Sequence, residues 1–290
     1  RGGNGGSGVV LTKKLNNNRG NWPVSQQFNA QEGGNWPDGT EIQSVTLNYL
    51  VVAGGGAGGS FAGGGAGGYR ASGYGPAPLQ GCALTVCSSS TYTITVGAGG
   101  GNSCGTAYPA PCASPPDGSG EGYGNVSSIK QGCTVLIQSS GGAYPLNASC
   151  GNPWNNNNGR RGGPGGSGSG GWPSAKAPKR PGGSGNAGGF SPPEGNSGGS
   201  GGNPDNRGGG AGGGATEAGG DNTPSVNPAA DRAGGDGGTS SITSSPVTRA
   251  GGGGGGNEWS PGTGQFAVSP GGAGGGGAGG QNPGSISAVA

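Results

Sequence analysis

Glycine stands in this chain in long runs, at about 54–68, 162–171, 182–189, 198–202, 208–214, 251–256 and 271–280, and no other feature restricts the possible folds as severely. A glycine run has no side chain to bury and loses more backbone freedom on ordering than any other sequence. What it does carry is one N–H and one C=O per residue, and each needs a partner once removed from water. With 82 glycines, the 290 residues include only 32 Leu, Ile, Val and Phe. An ordinary oily core is excluded, and composition alone would place the chain with disordered or fibrous proteins. Order must come from backbone hydrogen bonding, covalent cross-links or neighbouring subunits.

The register of the runs favours the first source. Residues 54–68 divide into the triplets GGG, AGG, SFA, GGG, AGG, and residues 161–166 into RGG, PGG. A period of three is that of the left-handed extended helix, which rises about 3.1 Å per residue and makes no internal hydrogen bonds. Such helices must bond to one another, and glycine lets their backbones approach on several sides. Collagen needs glycine at every third residue without interruption, whereas this register changes every few triplets, so collagen is excluded. The sequence predicts a mostly irregular and β fold: packed polyglycine-II-type helices turned back on one another by Pro and Asn, a small disulfide-bonded β region, and essentially no α-helix.

Three regions follow. Residues 1–40 are an Asn/Gly/Trp arm with two copies of one tripeptide, Asn21-Trp22-Pro23 and Asn35-Trp36-Pro37, and a β-capable Val9-Val10-Leu11 stretch. Residues 41–150 are β-rich, with strands expected at 41–52, 91–96, 125–129 and 133–138. Residues 151–290 are a polyglycine bundle with loops and one further strand expected at 241–248. The arm is expected to lie on another copy of the chain, adding a strand to its open sheet edge and generating a fibre.

The six cysteines, Cys82, Cys87, Cys104, Cys112, Cys133 and Cys150, crowd into one quarter of the chain, with no His and no C-x-x-C spacing. Disulfides in an oxidising compartment are the expected use, and metal ligation is not. Short loop closure favours the local pairs Cys82 with Cys87, Cys104 with Cys112, and Cys133 with Cys150. Two sequons, at Asn125 and Asn147, suit a secretory route and are candidate glycosylation sites. The start at Arg1 and the lack of any Met are read as those of a processed product or fragment.

Chemistry is thin. Without His, neither Ser-His nor Cys-His nucleophile pairs can be built. The twelve carboxylates sit mostly in polar turns, and no G-x-G-x-x-G lies between a strand and a helix. No catalytic residue, cofactor or metal is expected. A net charge of +2 makes no footprint for nucleic acid, and no apolar run reaches a membrane span of roughly 20 residues. Five tryptophans, Trp22, Trp36, Trp154, Trp172 and Trp259, nearly all adjoin Pro or Asn in loop-like settings. Each either stacks on a sugar or a neighbouring subunit, or caps the end of the bundle against water.

Several ordered blocks resemble a known family. Leu50-Val51-Val52-Ala53-Gly54-Gly55-Gly56, then Gly64-Gly65-Ala66-Gly67-Gly68-Tyr69-Arg70, then Tyr92-Thr93-Ile94-Thr95-Val96-Gly97, and later Ser240-Ser241-Ile242-Thr243 leading into 251–256, resemble the glycine-rich domain of phage tail-fibre adhesins and related secreted proteins. The resemblance implies a sandwich of polyglycine helices with receptor contacts in loops at one end. The cysteine-rich insert and the Trp-bearing arm depart from that pattern. The first expectation is therefore a secreted, non-enzymatic structural subunit whose partners are other copies of itself. The second is a virion fibre-tip adhesin for a cell-surface glycan or receptor, and a weaker third is an ice-binding protein.

Overall fold

A computed structural model describes residues 6, 9–14, 44–59, 61–87, 90–101, 122–145, 161–173, 179–202, 208–223, 231–258 and 268–282. Among them there is essentially no α-helix, as the composition requires; the named helical element is a single 3-10 turn at Ala77–Leu79.

Strands form where β-branched and aromatic residues concentrate. A five-stranded sheet has β2 (Ser44–Val52) at its heart. One edge of β2 takes β1 (Val9–Lys14), and the other is shared by β3 (Tyr69–Ser72) opposite residues 50–52 and β5 (Leu84–Cys87) opposite residues 44–47. The short β4 (Gln80–Gly81) pairs parallel to β3. A second, antiparallel sheet orders β6 (Tyr92–Thr95), β7 (Ser127–Gln131) and β8 (Thr134–Ser139), with a bulge between Ile129 and Lys130. Tyr49 and Val51 of β2 pack with Ile129 of β7, so this core lies between the sheets. The alternate residues Leu50 and Val52 pack with Tyr69, Ala71, Leu79, Ala215 and Ile242. Buried on both faces, the second half of β2 reads as a continuous apolar run.

Two expectations are corrected here. The arm strand, expected on another copy, pairs in full register with β2 of its own chain, from Val9 opposite Val52 to Lys14 opposite Leu47. An edge of the most buried strand is the strongest acceptor of main-chain hydrogen bonds within reach. The strand expected at 241–248 is a hairpin: β9 (Gly238–Ser240) and β10 (Val247–Arg249) pair antiparallel, with 241–246 as the turn.

Beyond the sheets the glycine runs lie side by side without ladder pairing, each bonded to several others. Residues 208–215 sit at the middle. The N–H groups of Gly209, Gly212 and Ala215 donate to the carbonyls of Gly256, Gly253 and Ala250 at 2.8–3.0 Å. Those of Gly210 and Gly213 donate to Gly171 and Gly168, and those of Ala211 and Gly214 to Gly220 and Glu217. In return the run accepts from Gly63 and Ala66, from Gly202, Gly199 and Asn196, and from Gly235. Partners on a given neighbour thus recur at every third residue, whereas a β-strand returns to the same neighbour at every second. Exposure at the margins has the same spacing: Pro181, Ser184 and Ala187 face solvent while Gly183 is buried, and Ala218 and Asp221 repeat the interval.

Glycine is required by contact at these positions. A Cβ on Gly212 would fall inside the carbonyl group of Gly64, and one on Gly170 inside that of Gly210. Serines replace glycine where the hydroxyl joins the network. The buried Ser167 donates through Oγ to Gly214 O at 3.1 Å, and Ser169 Oγ accepts from Gly163 N–H at 2.8 Å.

One further strand pair closes the bundle, parallel β11 (Asn257–Glu258) and β12 (Gln281–Asn282).

Candidate functional site

The hydrogen-bond register orients every run, and the connections sort by end. At the sheet end the turns are described: residues 186–194, residue 216, the β9–β10 hairpin and residues 273–275. At the opposite end lie the described residues that flank six further connections: Gly101 and Gly122, Pro145 and Arg161, Pro173 and Lys179, Gly202 and Gly208, Thr223 and Asp231, Glu258 and Val268, whereas Lys14 and Ser44, which flank residues 15–43, lie at the sheet end. The antiparallel bonds Gly54 to Asn125 and Ala57 to Gly122, the bond Gly202 to Gly208, and the bond Gly256 to Phe61 fix them there. Residues 102–121, 146–160, 174–178, 203–207, 224–230 and 259–267 therefore leave from and return to one end.

Two groups of side chains floor that end. Trp172 is 8% exposed, its ring 5.6 Å from that of Phe61 at an interplanar angle of 70°, with Gly59 and Pro145 alongside. This placement is that of a cap on the bundle. Beside it stands a polar group. Arg232 is fully buried with Nη1 over Gly208. Asn222 donates from Nδ2 to Gly208 O at 2.5 Å and accepts at its own carbonyl from Lys179 Nζ at 3.1 Å. Thr223 Oγ1 donates to Asp231 Oδ2 at 2.6 Å. Burial pulls the Arg232 guanidinium below its ordinary value, and the neighbouring Asp231 charge opposes the shift. Sequence reasoning missed Arg232, which follows Asp231 at the mouth of a glycine run and has no periodic signal.

At the sheet end a buried carboxylate ties turn to strand. Glu194 is fully buried; its Oε2 accepts from Ser139 Oγ at 3.1 Å and Ser140 N–H at 2.8 Å, and its Oε1 from Gly188 N–H at 3.3 Å. Arg70 covers the Phe190 ring at 4.2 Å from the same turn and donates to Gln138 O at 3.2 Å. These contacts position the 186–194 turn and offer no nucleophile.

Of the other residues singled out from sequence, Trp22, Trp36, Trp154, Trp259 and Asn147 lie outside the described residues. Asn125 is exposed, while Ser127 of its sequon is buried and accepts from Gly97 N–H at 2.9 Å. Cys82, Cys87 and Cys133 are free thiols, which corrects the pairing of Cys82 with Cys87 and of Cys133 with Cys150. β5 extends the chain by about 3.3 Å per residue from Leu84 to Cys87, which draws Cys87 away from Cys82. Cys104, Cys112 and Cys150 lie outside the described residues. Among the described residues no group of three or more Cys, Asp or Glu could hold a metal ion, and no helix is long and apolar enough to cross a membrane. No protein-family model, curated protein or solved structure matches the chain.

Proposed function

We propose that this chain is a non-enzymatic, extracellular recognition module, an adhesin in which a polyglycine-II-type lattice holds a set of binding segments at one end. The observation that carries the reading is the sorting of connections: six segments, of 5 to 20 residues, all open at the end opposite the sheets. A lattice that returns to each neighbour at every third residue is what left-handed extended helices of three residues per turn would form. It is stiff because its bonds run in several directions, and a stiff support lowers the ordering cost of presenting loops. Trp154 and Trp259 belong to these segments and bring broad faces suited to a sugar or a protein surface. The family resemblance points to the same end, and its members act on virion fibres.

The rival reading, a subunit that polymerises through its arm, loses its main support once the arm strand is seated on its own β2. Replacing residues 146–160 and 259–267 separately with Gly-Ser linkers of equal length tests the proposal. Binding of the purified chain to a panel of cells and immobilised glycans should drop for at least one replacement while the unfolding midpoint holds. If binding were untouched, or if the intact chain formed filaments that deletion of residues 1–14 abolished, the adhesin reading would be wrong.

A further inference from the structure

An edge strand carries a row of unpaired N–H and C=O groups, and most edges in folded proteins are guarded against a stray partner. Three are guarded here. At the end of β5, Cys87 N–H donates to Tyr92 Oη at 2.7 Å, and Cys87 O accepts from the same hydroxyl at 3.2 Å. At the end of β8, Gln138 O accepts from Arg70, and Ser139 and Ser140 donate to the Glu194 carboxylate. The sequence of β1 ends in Lys13-Lys14, and charge on an edge discourages pairing. β6 has no such guard. It has β7 on one side and no strand on the other, and among the described residues no main-chain bond reaches its outer side. Thr93, Ile94, Thr95 and Val96 are all exposed, Ile94 by 49% and Val96 by 53%. Between Arg70 and Asp117 the chain holds no charged residue.

What this edge fits is its own copy. Ile137 of β8 stands opposite Ile129 of β7, and Ile129 opposite Ile94, so Ile94 is the exposed end of a row of isoleucines whose middle member is buried. Along the strand, apolar side chains alternate with threonines symmetrically about Ile94: Tyr92, Thr93, Ile94, Thr95, Val96. A second β6, antiparallel and related by a two-fold axis at Ile94, sets Ile94 against Ile94, Tyr92 against Val96 and Thr93 against Thr95. Apolar then meets apolar on one face and hydroxyl meets hydroxyl on the other. Charge does not oppose this. Lys130, the charged residue of β7, is opposite Thr93, and its two copies would be at least three strand spacings apart, about 14 Å, which exceeds the screening length of about 8 Å.

We propose that β6 is a homodimerisation edge, through which two copies of this chain join antiparallel over residues 92–96 and merge their three-stranded sheets into one continuous sheet. The contact is isologous and closes on itself, so it gives pairs and no fibre. Main-chain hydrogen bonds supply the affinity, and the isoleucine row supplies the register. Addition of so short a strand buries less than the roughly 1,200 Å² of a standard interface, so the pair forms reversibly as concentration rises. The pairing does not rest on the adhesin reading; where that reading holds, each pair carries two binding ends.

The test uses the full chain. In sedimentation equilibrium over a wide concentration series, the apparent mass should climb from that of one chain towards that of two and stop there. Ile94→Lys sets two like charges directly opposite one another across the axis and should abolish the climb, with the unfolding midpoint unchanged because the side chain is half exposed. Should that variant fail to fold, hydrogen exchange on the unaltered chain decides. The outward amides of β6 should exchange about tenfold more slowly once roughly nine chains in ten are paired, while those of 209–214 keep their rates. A single-chain mass at every concentration, growth past two chains, association that survives Ile94→Lys, or β6 amides whose exchange ignores concentration would each overturn the proposal.

Discussion

The sheet region and the glycine bundle solve the same problem with opposite means. Around β2 the chain is ordered by side chains: Leu50, Val51 and Tyr69 are fully buried, and Tyr49 and Val52 nearly so. In the bundle the interior is backbone, with Ala211 and Ala215 as rare apolar side chains among the glycines of the central run. A hydrophobic core draws its stability from area removed from water, at roughly 25 cal/mol per Å², and fails by losing atoms. A backbone lattice draws on hydrogen bonds that are worth little net but are expensive to leave unmade, and it fails by gaining atoms. Each region should therefore be sensitive to the substitution the other tolerates.

The most severe test is Gly212→Val in the central run. The new side chain would occupy the position of the Gly64 carbonyl and separate the runs bonded through Gly63, Gly212 and Gly253, so a loss of about 4 kcal/mol or more, or no folded protein, is expected in urea titration. A near-neutral result would show that the bundle is loosely held. Next in size, Leu50→Ala should cost about 3 kcal/mol. Hydrogen exchange should then show the amides of β2 and β3 opening more than those of 209–214; equal opening throughout would merge the two regions into one cooperative unit.

Glu194→Gln sharpens the boundary between them, because it keeps the shape of a fully buried acceptor while placing an NH2 where one carboxylate oxygen accepts. A cost of about 1–3 kcal/mol is expected, with the 186–194 turn exchanging first. No loss would mean that the turn is held by Arg70 and Phe190 instead. Smaller still is the alkaline effect. Burial pushes the Tyr49 and Tyr69 hydroxyls above the ordinary tyrosine value of about 10. Their neutral forms stabilise the fold fully below that value, and the contribution is lost as pH rises through the raised values. Phenolate absorbance should show Tyr49 and Tyr69 ionising late, in step with unfolding. Titration of these two at the ordinary value would place both side chains in water. At the bottom of the scale, Gly101→Ala, where an added Cβ meets nothing within 4 Å, should stay within about 0.5 kcal/mol of the original.

Much of the architecture was legible in the chain. The strands at Ser44–Val52, Tyr92–Thr95, Ser127–Gln131 and Thr134–Ser139 fall within a few residues of the β-branched stretches that announce them. The hairpin within 238–249 was read as one strand because Ile242 and Val247 continue the apolar pattern across a turn with positive φ at Ser244. The pairing of Cys82 with Cys87 failed because closeness in sequence says nothing once a strand stretches the chain between two thiols.

The near-absence of helix among the described residues, the scarcity of oily core and the triplet register follow from residue types alone, since glycine's missing Cβ and alternating apolar residues act locally. Which run lies beside which, why six connections of the bundle open at one end, that β1 returns to its own sheet, and that Arg232 and Glu194 are buried were decided only in three dimensions. The physical reason is degeneracy: one glycine run offers its neighbours the same N–H and C=O groups as any other. Choice among them falls to the few non-glycine anchors, Tyr69, Phe61, Trp172, Glu194 and Arg232, whose partners stand tens of residues away in the chain.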